Sequence, residues 1–479
     1  MSDKQQIAIV WFRQDLRLHD NPALLHAVEN GYDILPVFIL DDENAGEWRR
    51  GAASKWWLYK SLRSLNASLD GHMVFRRGKA GEILSELIES SGAKAVFWGR
   101  CYEPWRIARD KDIKAALKDQ GLDVQTFNAS LLWEPWEIAK DDGTPYKVFT
   151  PFYRNGCLKA KEPDAPQPAP AKIPYADFSP SYSESDLDLL PSIQWYRSIE
   201  QIWSPGEHGA QERLDIFLGD GMDGYKADRN RPDMEKVSRL SPHLHFGEIS
   251  PRKIWHDARA RGMQAHWESD MDTFCSELGW REFSYSLLYQ HKNIMRAPLQ
   301  EKFENFPWDK NDKALLAWQK GQTGIPIIDA GMRQLWQTGW MHNRVRMVVA
   351  SFLIKNLRIH WHEGEDWFWD TLVDADLANN AASWQWVAGC GADAAPYFRI
   401  FNPVTQGQKF DPAGTYVRQY VTELTNMPDK YLHNPWEAHE NILSKAGVTL
   451  GKTYPYPITN LKESRKAALE CFETIKKSA

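Results

Sequence analysis

The first 130 residues alternate short apolar runs with amphipathic stretches. Buried strands are predicted where the apolar runs are continuous, at 7–12, 34–40 and 95–98. Helices are predicted where apolar positions recur at helical spacing, near 52–69, 80–91 and 107–119. Alternating strands and helices indicate a parallel, doubly wound α/β sheet. The segment Asp20-Asn21-Pro22 adds a helix start signal, because it offers a capping side chain with proline just inside the helix.

The pattern changes beyond residue 160. Five prolines between 163 and 174 are followed by a Ser- and Asp-rich run to about 195, which predicts a linker without regular elements. From about residue 200 onward the pattern is almost wholly helical. We therefore predict an α/β domain over 1–130, a linker over 131–199 and a large all-α domain over 200–479.

Composition narrows the class of protein. The net charge of −6 does not favour general attraction to nucleic acid, so a DNA site would need a local basic patch. The five cysteines never form a C-x-x-C spacing, which favours a reducing cytoplasm over a disulfide framework or a zinc site. Neither a membrane span nor a signal peptide is expected. The 23 tryptophans are either core rings or surfaces for stacking and electron transfer.

The helical half contains polar segments that packing alone explains poorly. Ser238, Arg239 and Ser241 precede or begin a predicted helix, where hydroxyls and backbone N–H groups can hold an anion. An ordinary helix cap is the alternative. The segment Gly389-Cys390-Gly391 resembles a dinucleotide-binding fingerprint, but it follows a helix rather than a strand, so we do not expect it to bind a pyrophosphate.

A second segment places Glu277, Trp280 and Arg281 on one face of a predicted helix. A carboxylate, an indole and a guanidinium together can hydrogen-bond to a planar ring and stack on it. A surface ion pair beside a core indole explains the same pattern equally well.

Two more segments follow in the last third of the chain. Asn343 and Met347 are four residues apart and share a helix face, while Arg344 leaves the helix in another direction. The segment 374–386 combines carboxylates, amides, small residues and two indoles, which suggests a flat polar ligand; a solvated helix end is the alternative. Its two aspartates lack the further ligands that a metal site needs, so no metal is predicted.

Together these segments resemble the photolyase/cryptochrome family over nearly the whole chain. The motifs that carry the resemblance are 11–17, 20–24, Ser238-Arg239-Leu240-Ser241, Trp280-Arg281-Glu282-Phe283, 339–344 and 396–403. A chance match in this order and over this length is very improbable. The resemblance implies an α/β antenna-binding domain, a linker and a helical domain that binds FAD.

The resemblance also assigns residues to a U-shaped FAD. They are Tyr225, Ser238, Arg239, Leu240, Ser241, Phe274, Arg281, Trp340, Asn343, Arg346, Asp374, Asp376 and Asn380. Arg346 is expected to pair with Asp374 near the flavin. Asn380 falls where the family places a group that faces flavin N5, and plant-type cryptochromes resemble this site with aspartate there. An amide suits an enzyme that keeps its flavin reduced.

Three tryptophans match the family's electron-transfer chain. Trp384, Trp361 and Trp308 would lead in that order from the flavin to the surface. Indoles are oxidisable, and three in series let a photoexcited flavin draw an electron from solvent in short hops. Each indole alone would be interpreted as core packing.

The resemblance implies that a damaged base pair is turned out of the DNA duplex, as photolyases require. The residues assigned to the lesion and its DNA are Glu277, Trp280, Asn343, Arg344, Met347, Trp386 and Arg399. Trp280 and Trp386 would clamp the dimer by stacking. Glu277 would hydrogen-bond its base edges and stabilise the radical anion.

Three alternatives stay open at this point. The (6-4) photolyases carry two histidines at the positions of Asn343 and Met347, so these residues favour cyclobutane pyrimidine dimers. A cryptochrome photoreceptor usually adds a tail, whereas this chain ends about 75 residues after the motif at 396–403. A flavoprotein that only transfers electrons, or a structural protein, leaves Glu277, Trp280 and Trp386 unexplained.

The N-terminal domain is expected to bind a second, antenna chromophore. Methenyltetrahydrofolate is the prediction and a deazaflavin is the alternative. Glu43 would meet a pterin edge, and Trp48 or Trp105 would stack on the ring.

DNA contact also requires positive potential despite the net acidity. Arg344, Arg399 and Lys409 are the candidates, and their phosphate contacts would make the affinity depend on salt. The expected partner is ultraviolet-damaged DNA. We expect a cytoplasmic monomer that needs no protein partner.

Overall fold

The computed structural model describes residues 6–179, 182–393 and 398–477. These residues form two compact units. The first unit contains the described residues up to Asp223 together with Ser238–Lys292, and the second contains Gly224–Val237 and the described residues from Asn293 onward. The predicted domain boundaries at residues 130 and 199 come from the sequence pattern, not from this division into two units, and they remain a prediction.

A five-stranded parallel sheet lies in the first unit. Its strands are β1 (Ile7–Phe12), β2 (Asp33–Leu40), β3 (Val74–Arg77), β4 (Ala95–Gly99) and β5 (Asp123–Phe127). Their order is β3-β2-β1-β4-β5, with every neighbouring pair parallel. This confirms the doubly wound α/β prediction. The order reverses between β1 and β4, and ligands of such sheets bind beyond the carboxyl ends of the strands at that reversal.

The central strands are fixed by burial on both faces. Ile9 of β1 is in register with Leu35 of β2 and with Val96 of β4, and all three belong to one core cluster. Continuous apolar runs are typical of such strands, which is why β1, β2 and β4 were predictable. Strands β3 and β5 were missed because both are short and mix apolar with polar residues.

Helices surround this sheet and form most of the second unit. Those of the first unit before residue 224 are α1 (Pro22–Glu29), α2 (Asp42–Ala45), α3 (Ala52–Ser68), α4 (Ala80–Ser91), α5 (Pro104–Asp119), α6 (Phe149–Pro151), α7 (Arg197–Glu200) and α8 (Glu207–Ile216). After α9 (Tyr225–Asp228) of the second unit, the first unit continues with α10 (Ser241–Phe246), α11 (Pro251–Ala265) and α12 (Glu268–Gln290).

The rest of the second unit is helical. Its helices are α13 (Asp312–Gln319), α14 (Pro326–Thr338), α15 (Asn343–Ser351), α16 (Trp361–Thr371), α17 (Leu377–Ala388), α18 (Pro403–Phe410), α19 (Thr415–Tyr420), α20 (Asp429–Leu432), α21 (Glu440–Lys445) and α22 (Leu461–Lys477). Single π-helical turns occur at Phe152–Gly156, Phe217–Gly221 and Phe352–Asn356. Single 3₁₀ turns occur at Gly46–Trp48, Cys157–Lys159, Glu184–Leu187, Glu301–Asn305, Thr422–Leu424 and Pro435–Glu437.

Local sequence signals are visible at element ends. The Asn21 side chain accepts a hydrogen bond from the backbone N–H of Leu24 and so caps α1, as predicted. Gly389 has a φ of +90° and ends α17, so the segment that follows does not open a helix after a strand. The proline-rich linker is not wholly irregular, since it contains the turn Glu184–Leu187 and a bridge between Tyr175 and β2.

Neither a membrane-spanning helix nor a cluster of metal ligands is found among the described residues. No helix there combines the length and the apolar character that crossing a bilayer requires. No group of three or more His, Cys, Asp or Glu side chains there is placed to hold a metal ion.

Candidate functional site

Helix α12 of the first unit carries the three residues that were predicted to share a helix face. Glu277, Trp280 and Arg281 lie on this helix one turn apart, and all three are half-buried. The Trp280 ring stacks on Phe149, with centroids 3.8 Å apart and planes inclined by 11°, and meets Phe283 edge-on at 5.9 Å. These contacts fix the orientation of an indole that is not fully buried, as a stacking surface for a planar ligand would need.

A buried carboxylate adjoins this face. Glu282 accepts hydrogen bonds from the backbone N–H groups of Leu132 and Trp133 at 3.0 and 3.2 Å and from Arg281 Nη1 at 3.2 Å. Burial raises the pKa of Glu282 to about 7, although these donors oppose the shift. The Arg281 guanidinium also lies 5.0 Å from the centroid of Tyr285. Glu282 was not predicted as a site residue, although it lies in the motif Trp280-Arg281-Glu282-Phe283 that carries the family resemblance.

The predicted anion segment also lies in the first unit. Helix α10 begins at Ser241, and the preceding Leu240 makes no side-chain cap, which differs from an ordinary helix cap. The Leu240 N–H instead points to Ser238 Oγ at 3.4 Å. Arg239 has a φ of +54°, an uncommon conformation for a residue with a side chain. Phe274, assigned to the same ligand, is buried against another phenylalanine ring at 4.4 Å.

In the second unit, the predicted ion pair between Arg346 and Asp374 is present. Arg346 Nη2 lies 2.8 and 3.1 Å from the two Asp374 carboxylate oxygens, and its Nε donates to the Met341 carbonyl at 2.8 Å. The guanidinium is 5.9 Å from the centroid of the buried Trp340 ring. These contacts fix the Arg346 side chain; its position beside a flavin remains a prediction.

More polar side chains are buried around the start of α17. Asp376 caps this helix by accepting from the Asn379 N–H at 2.9 Å, and Asn380 Nδ2 donates to the Glu365 carbonyl at 3.1 Å. Asp376 and Asn380 are both buried, which argues against a solvated helix end. Tyr225 is buried at the start of α9. Asp376 and Asn380 thus give this region buried carboxylate and amide groups, a chemistry that fits a ligand with a polar edge, such as a flavin.

Helix α15 carries the third predicted segment. Asn343 is exposed at its first position, and Met347 is half-buried one turn later. Arg344 points elsewhere, as predicted: its Nε and Nη2 donate to Asn230 Oδ1 at 3.2 and 2.7 Å, and its guanidinium lies 4.5 Å from the centroid of Phe410.

Positive charge collects around Arg344. Burial lowers the pKa of Arg344, and the neighbouring charges of Arg229 and Arg399 lower it further. Lys409 lies 5.2 Å from the centroid of Phe410, the ring that Arg344 also contacts. We call Arg229, Arg344, Arg399 and Lys409 the basic cluster. Arg229 was not predicted, because nothing in its local sequence distinguishes it.

The three tryptophans of the predicted electron series share one core region. Trp361 and Trp384 belong to the same cluster, and Trp308 packs against it. A Cβ atom at Gly364, one turn after Trp361, would lie 2.1 Å from the Trp384 ring, so this glycine allows the indole to approach α16. The His360 ring lies 4.9 Å from Trp308 and 5.7 Å from Trp361. Contacts through Gly364 and His360 therefore link the three indoles.

Two histidines beside this series are neutral near pH 7. Burial lowers the pKa of His360 to about 4, helped by His362 and Arg296. Burial likewise lowers the pKa of His362 to about 4, with a further contribution from Arg296. Neutral imidazoles place no additional positive charge next to the indoles that are predicted to lose an electron.

Trp386 is the second indole predicted to stack on a ligand. It is half-buried on α17, and its Nε1 donates to the Asp393 carbonyl at 3.1 Å. Its orientation is thus fixed by a polar contact rather than by ring stacking. The predicted clamp with Trp280 stays a prediction.

The predicted antenna residues lie on packed elements of the first unit. Helix α2 carries the exposed Glu43 and packs against α5, and the 3₁₀ turn after α2 carries the half-buried Trp48. Trp105 lies at the start of α5, with the guanidinium groups of Arg106 and Arg109 4.9 and 5.0 Å from its ring.

Sequence reasoning missed a buried carboxylate next to Trp105. Glu103 is 7% exposed, and its Oε2 has no hydrogen-bond partner among the described residues. Its Oε1 lies 3.5 Å from Arg106 Nε. Burial and the charge of Arg106 lower the pKa of nearby Arg50 to about 10. An unpaired buried oxygen is costly, and this one follows β4, where the strand order reverses; both observations favour a ligand here.

Comparison with known proteins covers both units. Residues 8–171 match the family described as DNA photolyase, and residues 274–474 match the one described as FAD binding domain of DNA photolyase. The chain is 48% identical over 484 residues to a deoxyribodipyrimidine photo-lyase from Agrobacterium fabrum, covering 100% of both proteins. It is 38% identical over 475 residues to cryptochrome-1 from Arabidopsis thaliana, covering 96% of this chain and 69% of that protein.

The fold is similar to that of a solved structure. A bacterial class III photolyase from Agrobacterium tumefaciens has a TM-score of 0.96 and 47% identity to this chain, covering 100% of this chain and 99% of the other. The predicted fold class, an α/β domain followed by a helical FAD-binding domain, is confirmed.

Proposed function

The chain belongs to the DNA photolyase/cryptochrome family, and we propose that it uses blue light to repair cyclobutane pyrimidine dimers in DNA. The observation that carries this proposal is the half-buried Trp280, which is held by stacking on Phe149 and shares a helix face with Glu277. A signalling receptor or an electron carrier has no need for such a ring. The printed name of the Agrobacterium fabrum relative, deoxyribodipyrimidine photo-lyase, supports the same function.

Two side chains of α15 favour the cyclobutane dimer over the (6-4) lesion. Repair of a (6-4) lesion needs a proton donor, which the (6-4) photolyases supply with two histidines at these positions. Asn343 is an amide that does not titrate, and Met347 has no proton to give. Met347 is half-buried one turn from the exposed Asn343, so the pair offers one polar and one apolar contact to a base.

FAD is the cofactor that the second unit's buried polar groups fit. Reduced FAD, when bound, supplies the light-excited electron that opens the cyclobutane ring and is recovered afterwards. Arg346 and Asp374 would hold the flavin ring as a fixed ion pair. The Asn380 amide is oriented by its donation to the Glu365 carbonyl, so its oxygen serves as an acceptor for an N–H group. An acceptor suits a flavin kept reduced, because reduced N5 carries a proton.

The tryptophan series would keep the cofactor reduced. Trp384, Trp361 and Trp308 are linked through Gly364 and His360, and Trp308 is the half-buried member. The neutral state of His360 favours loss of an electron from the adjacent indoles.

The damaged bases would be bound by stacking, and the phosphates of the DNA backbone would be bound by positive charge. In the first unit, Trp280 would stack on the dimer and Glu277 would hydrogen-bond its base edges. In the second unit, Trp386 would stack as well, and the basic cluster would contact phosphates. The cluster accounts for DNA affinity in a chain of net charge −6, because only a local patch of positive potential is needed.

A folate antenna is proposed for the first unit, with a deazaflavin as the alternative. Glu103 and Trp105 support a planar ligand with a hydrogen-bonding edge, since one offers an unpaired buried oxygen and the other an indole backed by two guanidinium groups. Glu43 and Trp48 are proposed to complete the contacts. The absorption spectrum of the purified protein distinguishes the two chromophores.

We further propose a cytoplasmic location. All five cysteines are free thiols and four of them are buried, as expected for a reducing compartment.

The test is light-dependent repair. The protein with fully reduced FAD is bound to an oligonucleotide that contains a thymine dimer, illuminated with blue light and assayed for restored thymine, with a dark sample as control. Repair only in the light is expected. Binding without repair would reject the enzyme and favour a photoreceptor, the second candidate, which the 38% identity to cryptochrome-1 supports.

A further inference from the structure

Lys355 is an almost wholly buried lysine in the second unit. It lies in the π-helical turn Phe352–Asn356 directly after α15, and its side chain is 3% exposed. Its Nζ donates to the backbone carbonyl of Arg399 at 2.5 Å and lies 4.3 Å from the centroid of the Phe398 ring. Lysine is almost never fully buried without a pairing role, because removing an ammonium group from water is costly.

These contacts fasten the segment 398–401 to the end of α15. The Phe401 N–H donates to Ser351 Oγ at 3.3 Å, which adds a second hydrogen bond beside that of Lys355. The Phe398 ring stacks on Phe472 with centroids 4.7 Å apart and planes inclined by 6°. The backbone that carries Arg399 is therefore held by the end of α15 and the turn after it, and α15 also carries Arg344.

The charge of Arg399 acts on both ends of α15. It lowers the pKa of Arg344 and also that of Lys355. Burial is the larger cause at Lys355 and brings its pKa down to about 7. The other titratable group that acts on Lys355 is Cys390, whose own pKa burial raises to about 12, so it remains an uncharged thiol at neutral pH.

We propose that Lys355 is a positioning residue for DNA binding: it holds the Arg399 backbone so that the Arg399 guanidinium joins the basic cluster. This inference rests on the proposed function, since it requires that the cluster contact phosphates. A phosphate bound by Arg399 would offset the Arg399 charge that lowers the pKa of Lys355, so DNA binding is linked to protonation of Lys355. Affinity for DNA then falls as the pH rises through the pKa of Lys355.

The test compares three forms of the holoprotein with a dimer-bearing oligonucleotide at constant salt. Lys355→Met removes the donor and the charge at similar length, and Lys466→Met on α22 removes an exposed lysine as the matched control. Fluorescence anisotropy gives the Kd at about pH 6 and about pH 9, on either side of the Lys355 pKa. Lys355→Met is expected to bind about fivefold more weakly than the wild type at the lower pH, the value of one hydrogen bond.

The pH profile separates positioning from a general structural role. The wild type and Lys466→Met should lose affinity between the two pH values, and Lys355→Met should lose less. Since a buried charge is costly, Lys355→Met should unfold at the same or a higher temperature. Wild-type affinity in Lys355→Met, or a weakened affinity with the wild-type pH profile, would overturn the inference. Failure of the wild type to prefer dimer-bearing DNA would instead reject the proposed function.

Discussion

Trp280 and Trp384 are tryptophans of different units with opposite surroundings. Trp280 on α12 is half-buried and stacked face to face on Phe149. Trp384 on α17 is 2% exposed and meets Phe368 and Trp318 edge-on at 5.0 and 6.4 Å. The incompletely buried Trp280 leaves ring surface for the proposed stacking on a base, whereas the enclosed Trp384 contacts only neighbouring side chains and suits the proposed electron series. The same side chain thus suits two tasks, and burial separates them.

The charged and neutral groups near the two tryptophans also differ. Around Trp280 lie Glu277, Arg281 and the buried Glu282, so the face of α12 carries charged groups that suit the proposed binding of a polar lesion. Beside the electron series, His360 and His362 stay neutral near pH 7 because burial lowers their pKa values. Charge suits the proposed binding face, and histidines that add no positive charge suit the proposed electron series.

The largest effect is expected from Trp384→Phe. Phenylalanine keeps an aromatic ring but is much harder to oxidise, so the variant should lose most light-driven reduction of its FAD and keep its DNA affinity. Flavin absorbance under blue light with an external reductant measures this. Trp98→Phe is the matched control, since Trp98 is equally buried but lies in the sheet core of the first unit. Equal photoreduction in both variants would show that Trp384 has no special part in reducing the flavin.

Trp280→Ala should have the opposite effect: DNA affinity should fall while photoreduction of the FAD is retained. The variant loses a stacking surface, so affinity for dimer-bearing DNA should fall by about 1–3 kcal/mol, the usual value of base–aromatic stacking. Photoreduction should stay at the wild-type rate. Trp336→Ala, which removes an indole that is 63% exposed, is the control for affinity. If both variants bind dimer-bearing DNA equally well, Trp280 does not contact the lesion.

Arg344→Gln should weaken DNA binding without changing the preference for dimer-bearing over undamaged DNA. Because Arg344 belongs to the basic cluster, its loss should affect dimer-bearing and undamaged DNA alike and lower the salt slope of log K by about 1. Titrations at several salt concentrations measure the slope. Arg77→Gln removes an exposed arginine of β3 and should leave it unchanged. A selective loss for the dimer would assign Arg344 to lesion recognition instead.

Glu282 should make the stability of the protein, rather than its function, depend on pH. Its pKa is raised from 4.5 to about 7 in the folded protein, so the folded chain binds more protons than the unfolded chain between these values. Stability should therefore decline as the pH rises through this window and level off above it. Glu282→Gln cannot ionise, so its unfolding temperature should depend less on pH there. Parallel profiles for the two proteins would show that folding does not raise the pKa of Glu282 as expected.

Helical spacing predicted which residues share a face but not what the face meets. It placed Glu277, Trp280 and Arg281 together, as the structure has them. It gave no sign that Phe149 would support Trp280 or that Glu282 would bind the backbone of the linker. Those partners are more than 100 residues away in sequence, and no periodicity extends over such distances.

By itself, the sequence determined the elements whose signals are local. Continuous apolar runs define β1, β2 and β4, and the capping residue Asn21 defines the start of α1, because burial and capping act within a few residues. Motif order further determined the family. Only the tertiary structure decided which distant side chains meet. Examples are the basic cluster around Arg344, the hydrogen bond from Lys355 to Arg399, and the different aromatic neighbours of Trp280 and Trp384. Burial and electrostatics depend on every surrounding element, so the surroundings of a tryptophan follow from packing rather than from its place in the chain.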